Sequence, residues 1–410
     1  MKVVVVGLNY EPEHAGIAPY TTGTARALAE AGHDVHVVTG FPYYPQWRTA
    51  DDYRGVRAGL ARRLRDGDVR LTRLRHYVPS SSTGIGRIAH EASFAVHAWL
   101  RTRGREFRDA DVVIGVSPSL LSLVAARALA TRTRAAFGVV VQDLYASASD
   151  EVGALGGRGG SQIARLEAGL LRSADGVVTI HERFGEVLRR RHGVSPDRIT
   201  IIRNWTHIPL SWAPVPAPWP SGTGTVVLHA GNMGAKQELG TVVDAARLAD
   251  RRGDDVRFVL VGDGARCAEL RRQAEGVRRI SVLPPVPDAE FAGVLAAADV
   301  LLVNERPGLR SVCVPSKLTS YFAAGRPVLA ATEEDSPASA ELSAAGAGVR
   351  VPPGDPAALL DAALRLGDDS SLCERLGRNG RDYALTALCK QQAGDRYRAW
   401  VAELAGRGGR

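Results

Sequence analysis

Lys236, Ser316 and Lys317 have the types and settings suited to holding a phosphate. Across Val312 to Ala331, Pro315 and Ser316 favour a helix start, Leu318, Tyr321 and Phe322 recur at three- and four-residue spacing, Gly325 suits the stop, and Pro327 bars continuation. A helix opening at Ser316 presents unpaired N–H groups and a positive dipole end, to which Ser316 adds a hydroxyl and Lys317 a charge. An ordinary capped helix with a solvated lysine fits the same residues. A second corner, Gly231-Asn232-Met233-Gly234-Ala235-Lys236, follows an apolar strand, and the two corners together can grip two phosphates of one ligand. No Gly-x-Gly-x-x-Gly accompanies them, so a dinucleotide site of that kind is not indicated.

The elements that must position these corners follow a βα rhythm. Val3 to Val6 is an apolar run ending at Gly7, as in a central parallel strand. A loop from Asn9 to Ala18 holds Pro12, Glu13, His14 and Gly16, and precedes a helix over Thr21 to Ala31 and a strand over Val35 to Thr39. Phe41 to Tyr53, with Tyr43, Tyr44 and Trp47, reads either as an aromatic rim on the ligand face or as packing against the domain. Gly86 to Arg103 looks helical, with Ile88, Ala92, Ala95 and Trp99 on one stripe. Strands are expected at 112–116, 136–141, 176–180 and 199–202, with Asp143 just past the second of these. Pro209 to Gly224 contains five prolines and reads as a linker. Beyond it, strands at 225–229, 257–261, 280–283 and 300–303 send four ends toward one crevice.

The chain has 410 residues, of which 45% are hydrophobic, enough for two cores in domains of roughly 150 to 200 residues. The boundaries read as 1–208, a linker at 209–224, 225–388, and a last helix in 389–410 that returns to the first domain. No apolar run reaches the roughly 18 residues of a membrane span, and Met1 to Gly7 leads into a strand, which points to a cytoplasmic protein. The four cysteines lack metal-ligand or paired spacing. Of the formal charge of +8, much falls in Arg54 to Arg75, where eight arginines face Asp66 and Asp68. That stretch reads as a solvated basic face or as a peripheral contact with anionic lipid at the inner membrane face. It lacks the interleaved aromatics and motifs of nucleic-acid binding.

The ordered set of Tyr10 to Ile17, Glu91 to Ala95, Ile202 to Trp205, Gly231 to Gly234, Val261 to Gly264, Pro315 to Leu318 and Ala324 to Val328 resembles the GT-B glycosyltransferases of family 4, and among them the bacterial polysaccharide transferases of the WcaI and WbuB type. The resemblance implies an α/β architecture of two Rossmann-like, doubly wound domains across a central cleft. It implies that the first domain takes the acceptor, a lipid-linked saccharide or a small molecule. The second would bind a nucleotide-diphosphate sugar as substrate, with UDP or GDP as carrier, and transfer would retain anomeric configuration without cofactor or metal. By the same resemblance Lys236, Ser316 and Lys317 hold the diphosphate, Gly231, Asn232 and Gly234 line the donor loop, the base lies near Val286, and Gly16 closes on the diphosphate. His14, Tyr43, Tyr44 and Asp143 fall on the acceptor side, with Asp143 placed to orient or deprotonate the nucleophile; a structural carboxylate at a strand end is the other reading of Asp143.

The chain departs from that family in one respect. Two glutamates eight positions apart, the second gripping the donor ribose, are common there, and Val312 and Ser320 stand in their places. Glu305 lies too far upstream to align with either. A sugar-nucleotide epimerase or a non-catalytic sugar-nucleotide-binding protein of the same architecture also fits the residues.

Overall fold

A computed structural model describes the chain except for residues 14–15, 45, 54–60, 80–83, 145–157, 210, 213, 221, 310–315 and 409–410. It divides into two units, Met1–Asn204 with Lys390–Arg410, and Trp205–Cys389. Among the described residues no helix is long and apolar enough to cross a membrane.

The first unit is built on an eight-stranded sheet. Its strands are β1 (Lys2–Val6), β2 (Asp34–Gly40), β3 (Ala61–Asp66), β4 (Val69–Leu74), β5 (Val112–Val116), β6 (Ala136–Val141), β7 (Gly176–Thr179) and β8 (Ile199–Ile201). They lie in the order β3-β4-β2-β1-β5-β6-β7-β8. β1 sits between β2 and β5, parallel to both, and its valines are sealed from solvent on the two faces, which is why an unbroken apolar run was needed there. Helix α1 (Ala18–Glu30) starts three residues before the expected position, because Pro19 is at home in a first turn, where it has no N–H bond to lose.

One expectation for this unit changes in part. The arginine-rich stretch holds the hairpin β3–β4, closed at Gly67 in the left-handed region with φ +56°. Pairing of β4 with β2 turns Arg73 inward, where it is buried and donates to the carbonyls of Gly40 and Glu11, while Arg70 pairs with Asp34. Arg70 and Arg73 therefore lie on opposite sides of β4, since strand alternation sends residues an odd number apart to opposite faces. Helix α2 (Gly84–Arg101) buries His90, Glu91, Phe94 and Ala98, and leaves Ile88, Val96, Trp99 and Leu100 exposed. The buried polar pair is accommodated because Tyr77 O faces His90 Nδ1, and Arg87 and Ser119 reach Glu91.

Helix α3 (Leu120–Thr133) follows β5 and is capped by Ser119, whose side chain accepts from the Ser122 N–H. Helices α4 (Arg158–Arg172) and α5 (Glu182–Arg190) flank β7. The last helix of the chain, Lys390–Gly408, packs on α1 and β6 with Tyr397, Trp400, Val401 and Leu404 buried. Gly138 and Gly176 form the floor beneath it; a Cβ on Gly138 would stand 2.7 Å from both Trp400 Cη2 and Leu404 Cδ1.

The second unit carries a six-stranded parallel sheet of β9 (Thr225–Ala230), β10 (Val256–Val261), β11 (Ile280–Leu283), β12 (Val300–Asn304), β13 (Val328–Ala331) and β14 (Gly348–Val351), ordered β11-β10-β9-β12-β13-β14. Alternate residues feed two cores, Leu228, Val259, Leu301 and Ala330 on one face and Val227, Phe258, Leu302 and Leu329 on the other. Helices α6 (Gly240–Arg252), α7 (Cys267–Gln273), α8 (Asp288–Ala297), α9 (Lys317–Ala324), α10 (Pro337–Ala345), α11 (Pro356–Asp368) and α12 (Ser370–Thr386) cover it. In the proline-rich stretch Trp219 enters the core of this unit and Trp212 and Val215 pack against it, next to Ile208 just before the stretch.

Candidate active site

In the second unit the order of strands reverses between β9 and β12, the place where open α/β sheets leave a crevice at their carboxyl ends. The loop after β9 is held against the turn after β10 by bonds from the Gly231 N–H to the Val261 carbonyl (2.9 Å) and from the Met233 N–H to the Asp263 carbonyl (2.8 Å). Only a glycine fits at Gly262, which has φ +145° and where a Cβ would stand 2.0 Å from the Gly231 oxygen. Beyond Gly234 a single helical turn, Ala235–Gln237, carries Lys236. Its far side is fixed from β12. Asn304 Nδ2 donates to the Gln237 and Glu238 carbonyls (2.8 and 3.1 Å), and the Arg306 N–H donates to the Lys236 carbonyl (2.8 Å).

The other corner differs from a solvated helix start. Ser316 precedes α9, is exposed, and makes no capping bond through its side chain. Lys317 is only partly exposed, and its Nζ turns back to β9, 3.2 Å from Nε2 and 3.5 Å from Nδ1 of His229. A Cβ on Gly231 would stand 3.9 Å from the same Nζ, so the two expected phosphate corners meet at this amine. Burial pushes the Lys317 amine down to about 7, against the pull of Glu305, so it does not carry the permanent charge expected of it. His229 is fully buried, and burial together with Lys317 holds its imidazole well below the usual range.

Glu305 follows β12 and had no place in the motif reading. Burial raises its carboxyl, while Thr332 Oγ1, Lys317 and Lys236 act to keep it ionised. One carboxylate thus faces both lysines. The signal in the sequence was its position at the end of a central strand beside the strand-order reversal.

The remaining donor-side residues are less committed. Asn232 is exposed, and its carbonyl lies 3.4 Å from His229 Nε2. Val286 is half-buried against the core cluster that also takes Phe291. Ser320 is buried within α9, and Val312 lies outside the described residues.

In the first unit Gly16, with φ +66°, would place a Cβ 3.2 Å from Tyr44 Cε1, so these two expected site residues are neighbours. Tyr43 is not available as a rim. It is buried edge-on to His90 (4.6 Å), His76 (5.3 Å) and Trp47 (5.5 Å), and burial raises its phenol. Glu13, named in the first loop but given no role there, ties the two loops by accepting the backbone N–H groups of Tyr43 and Tyr44 (both 2.9 Å) and Asn9 Nδ2 (3.0 Å). His14 lies outside the described residues. Asp143 is part-buried, its Oδ1 accepts the Leu144 N–H (2.8 Å), and its carbonyl accepts Ser117 Oγ (2.7 Å). Asp66 of the Asp-Gly-Asp sequence is taken by Arg26 Nη2 (2.8 Å), Arg26 Nε (2.9 Å) and Tyr10 (2.7 Å).

Comparison with known proteins matches residues 15–205 to a glycosyl transferase 4-like domain and residues 224–369 to glycosyl transferases group 1. WcaI of Escherichia coli (strain K12), named as a colanic acid biosynthesis glycosyl transferase, is 31% identical over 341 residues, covering 79% of this chain and 82% of its own. WbjE of Pseudomonas aeruginosa, named as a glycosyltransferase, is 32% identical over 206 residues, 48% of this chain and 50% of its own. Among solved structures, sucrose-phosphate synthase of Thermosynechococcus elongatus aligns with a TM-score of 0.72 at 18% identity over 98% of this chain and 99% of its own. HepE of Anabaena, solved in complex with UDP, aligns with a TM-score of 0.68 at 15% identity over 98% of this chain and 100% of its own.

Proposed function

This chain belongs to the GT-B glycosyltransferases, and from that premise we propose that it moves a sugar from a UDP- or GDP-linked donor to an acceptor nucleophile with retention of anomeric configuration. The observation that carries the donor reading is the placing of Lys236, Lys317 and Gly231 at the carboxyl ends of β9 and β12, with Glu305 facing both lysines. In the transfer step the bond from the sugar's anomeric carbon to the phosphate oxygen breaks, the acceptor's nucleophilic atom bonds to that carbon, and the acceptor's proton is lost. Negative charge builds on the departing diphosphate, and cations fixed beside it lower the barrier more than they tighten ground-state binding. Lys236 and Lys317 supply those cations. On the acceptor side Asp143, steadied by Leu144, is assigned to orienting the nucleophile. HepE bound to UDP and to UDP-glucose supports a nucleotide-sugar donor.

Lys236→Ala should reduce turnover more than tenfold while leaving the melting temperature within a degree or two of wild type, because its side chain is only partly buried. Near-normal turnover would remove the leaving-group role. A thermal-shift series with UDP, GDP, dTDP and ADP identifies the carrier, since a ligand of the native state raises its melting temperature.

For the acceptor, a lipid-linked saccharide is favoured over a soluble metabolite by the outer face of α2. Val96, Trp99 and Leu100 are exposed there, and the Arg103 guanidinium lies 3.7 Å from the centre of the Trp99 ring. Apolar side chains beside arginines suit an anionic bilayer surface. The protein should co-sediment with vesicles containing phosphatidylglycerol and be released by salt, and Trp99→Asp should abolish this; no binding at low salt would leave the soluble acceptor.

A further inference from the structure

We propose that Lys317 is a proton-coupled ligand of the donor: its amine, seated against His229, takes up a proton from solution as the diphosphate arrives, so that binding and protonation are one event. This rests on the donor-site reading above and adds to it how the grip acquires its charge.

The argument is one of geometry and charge balance. Two basic groups 3.2 Å apart, one of them fully buried, cannot both be charged without an anion beside them. The His229 ring faces the carbonyls of Asn232 and Leu302 as well as the lysine, and among the described residues no carboxylate interaction stabilises its charged form. Just past β12, Glu305 is the carboxylate that acts on Lys317 among the described residues, and its own ionisation is opposed by burial. From the loop after β9, Lys236 draws on that same carboxylate. On α9 itself, Tyr321 one turn on donates to and accepts from the Ala230 backbone and is held as the neutral phenol by burial. Lys317 thus sits against a buried base and shares its carboxylate with Lys236. A diphosphate supplies the missing charge at Gly231, within reach of the amine.

With burial bringing Lys317 near 7, the free protein at pH 8 is mostly unprotonated at that position. The bound complex is mostly protonated, giving an uptake approaching about one proton per nucleotide. Affinity should fall progressively as pH rises above about 7, toward tenfold per pH unit while the bound form keeps its proton.

Isothermal titration of the full chain with UDP and with GDP, in Tris and in HEPES at pH 8, tests this, because the two buffers differ in ionisation enthalpy and the difference in observed heat counts protons. The expected result is between about 0.5 and 1 proton taken up by wild type. Lys317→Met and Lys317→Arg should both bind with less than about a quarter of that uptake, one having no proton site and the other carrying its charge permanently. His229→Asn leaves the burial of the amine in place and should keep most of the wild-type uptake, whereas a merely structural role for Lys317 would leave the proton count of its own two variants unmoved. Binding with no buffer-dependent heat, or uptake unchanged in both Lys317 variants, overturns the inference and leaves the donor site standing. No heat with either nucleotide overturns the donor-site reading and the inference with it.

Discussion

At the scale of the residue, Glu91 shows how much a single buried carboxylate depends on its surroundings. It sits on α2, 3% exposed, with Arg87 Nε at 3.5 Å and Ser119 Oγ at 3.3 Å, yet burial outweighs both and pushes it up to about 6. A carboxyl raised above its unfolded value holds its proton longer in the folded chain. The stability it contributes is complete below about 4.5 and lost as pH rises through about 6. Glu91→Gln keeps the shape of the protonated acid and cannot ionise. It should therefore melt close to wild type at pH 4.5 and be the more stable of the two at pH 8, by at most about 2 kcal/mol, less whatever Arg87 loses with its partner. Melting curves at the two pH values check this, and an equal difference at both would show that ionisation is not what costs stability there. The same dependence on surroundings set what could be read from the sequence alone. Lys236, Lys317 and Gly231 were legible as candidates because a glycine loop and a helix start announce themselves locally. His229 and Glu305 were not, since Lys317 meets His229 across 88 residues and only the strand order brings them together.

At the scale of the element, strands with unbroken apolar runs were legible to within a residue or two, because burial on both faces leaves no polar position to confuse the period. The hairpin β3–β4 was not, as its arginines concealed the strand β4, whose partners on β2 and β3 supply the burial. The inward face of α2 was not legible for a related reason: its side chains include more apolar ones than one face can bury, and the buried His90 and Glu91 are bonded on the face that turns inward. Helix α9 was read almost to its ends, since Gly325 closes it at φ +69°. A Cβ there meets nothing nearer than 3.7 Å, so Gly325→Ala tests conformation rather than crowding. The variant should lose about 1 kcal/mol, with urea unfolding shifted to a lower midpoint at unchanged slope. Because α9 carries Lys317 at its other end, donor affinity should change little if the helix stays rigid; a large loss of affinity would show that the C-terminal stop also sets the lysine.

At the scale of the whole molecule, the chain leaves the first unit at Asn204, builds the second, and returns at Lys390 to finish the first. The return has an energetic meaning. Tyr397, Trp400, Val401 and Leu404 are buried on a sheet surface where Gly138 and Gly176 provide no side chains of their own. Removing residues 390–410 would uncover that floor. At about 2 kcal/mol for each large apolar side chain, the first unit would lose on the order of 8 kcal/mol, comparable to the whole stability of an ordinary domain. The second unit keeps both its cores, since none of their members lies beyond Leu388. A protein of two units need not unfold in one step, so the loss should be local. In hydrogen exchange of the 1–389 protein, amides of β6 and β7 should lose most of their protection while those of β9, β10 and β12 keep theirs. Trp400→Ala in the full chain should give the same pattern in milder form, costing about 3 to 5 kcal/mol. Equal loss of protection in the two sheets would mean that the units unfold together, and that the last helix stabilises the molecule as a whole rather than the unit it completes.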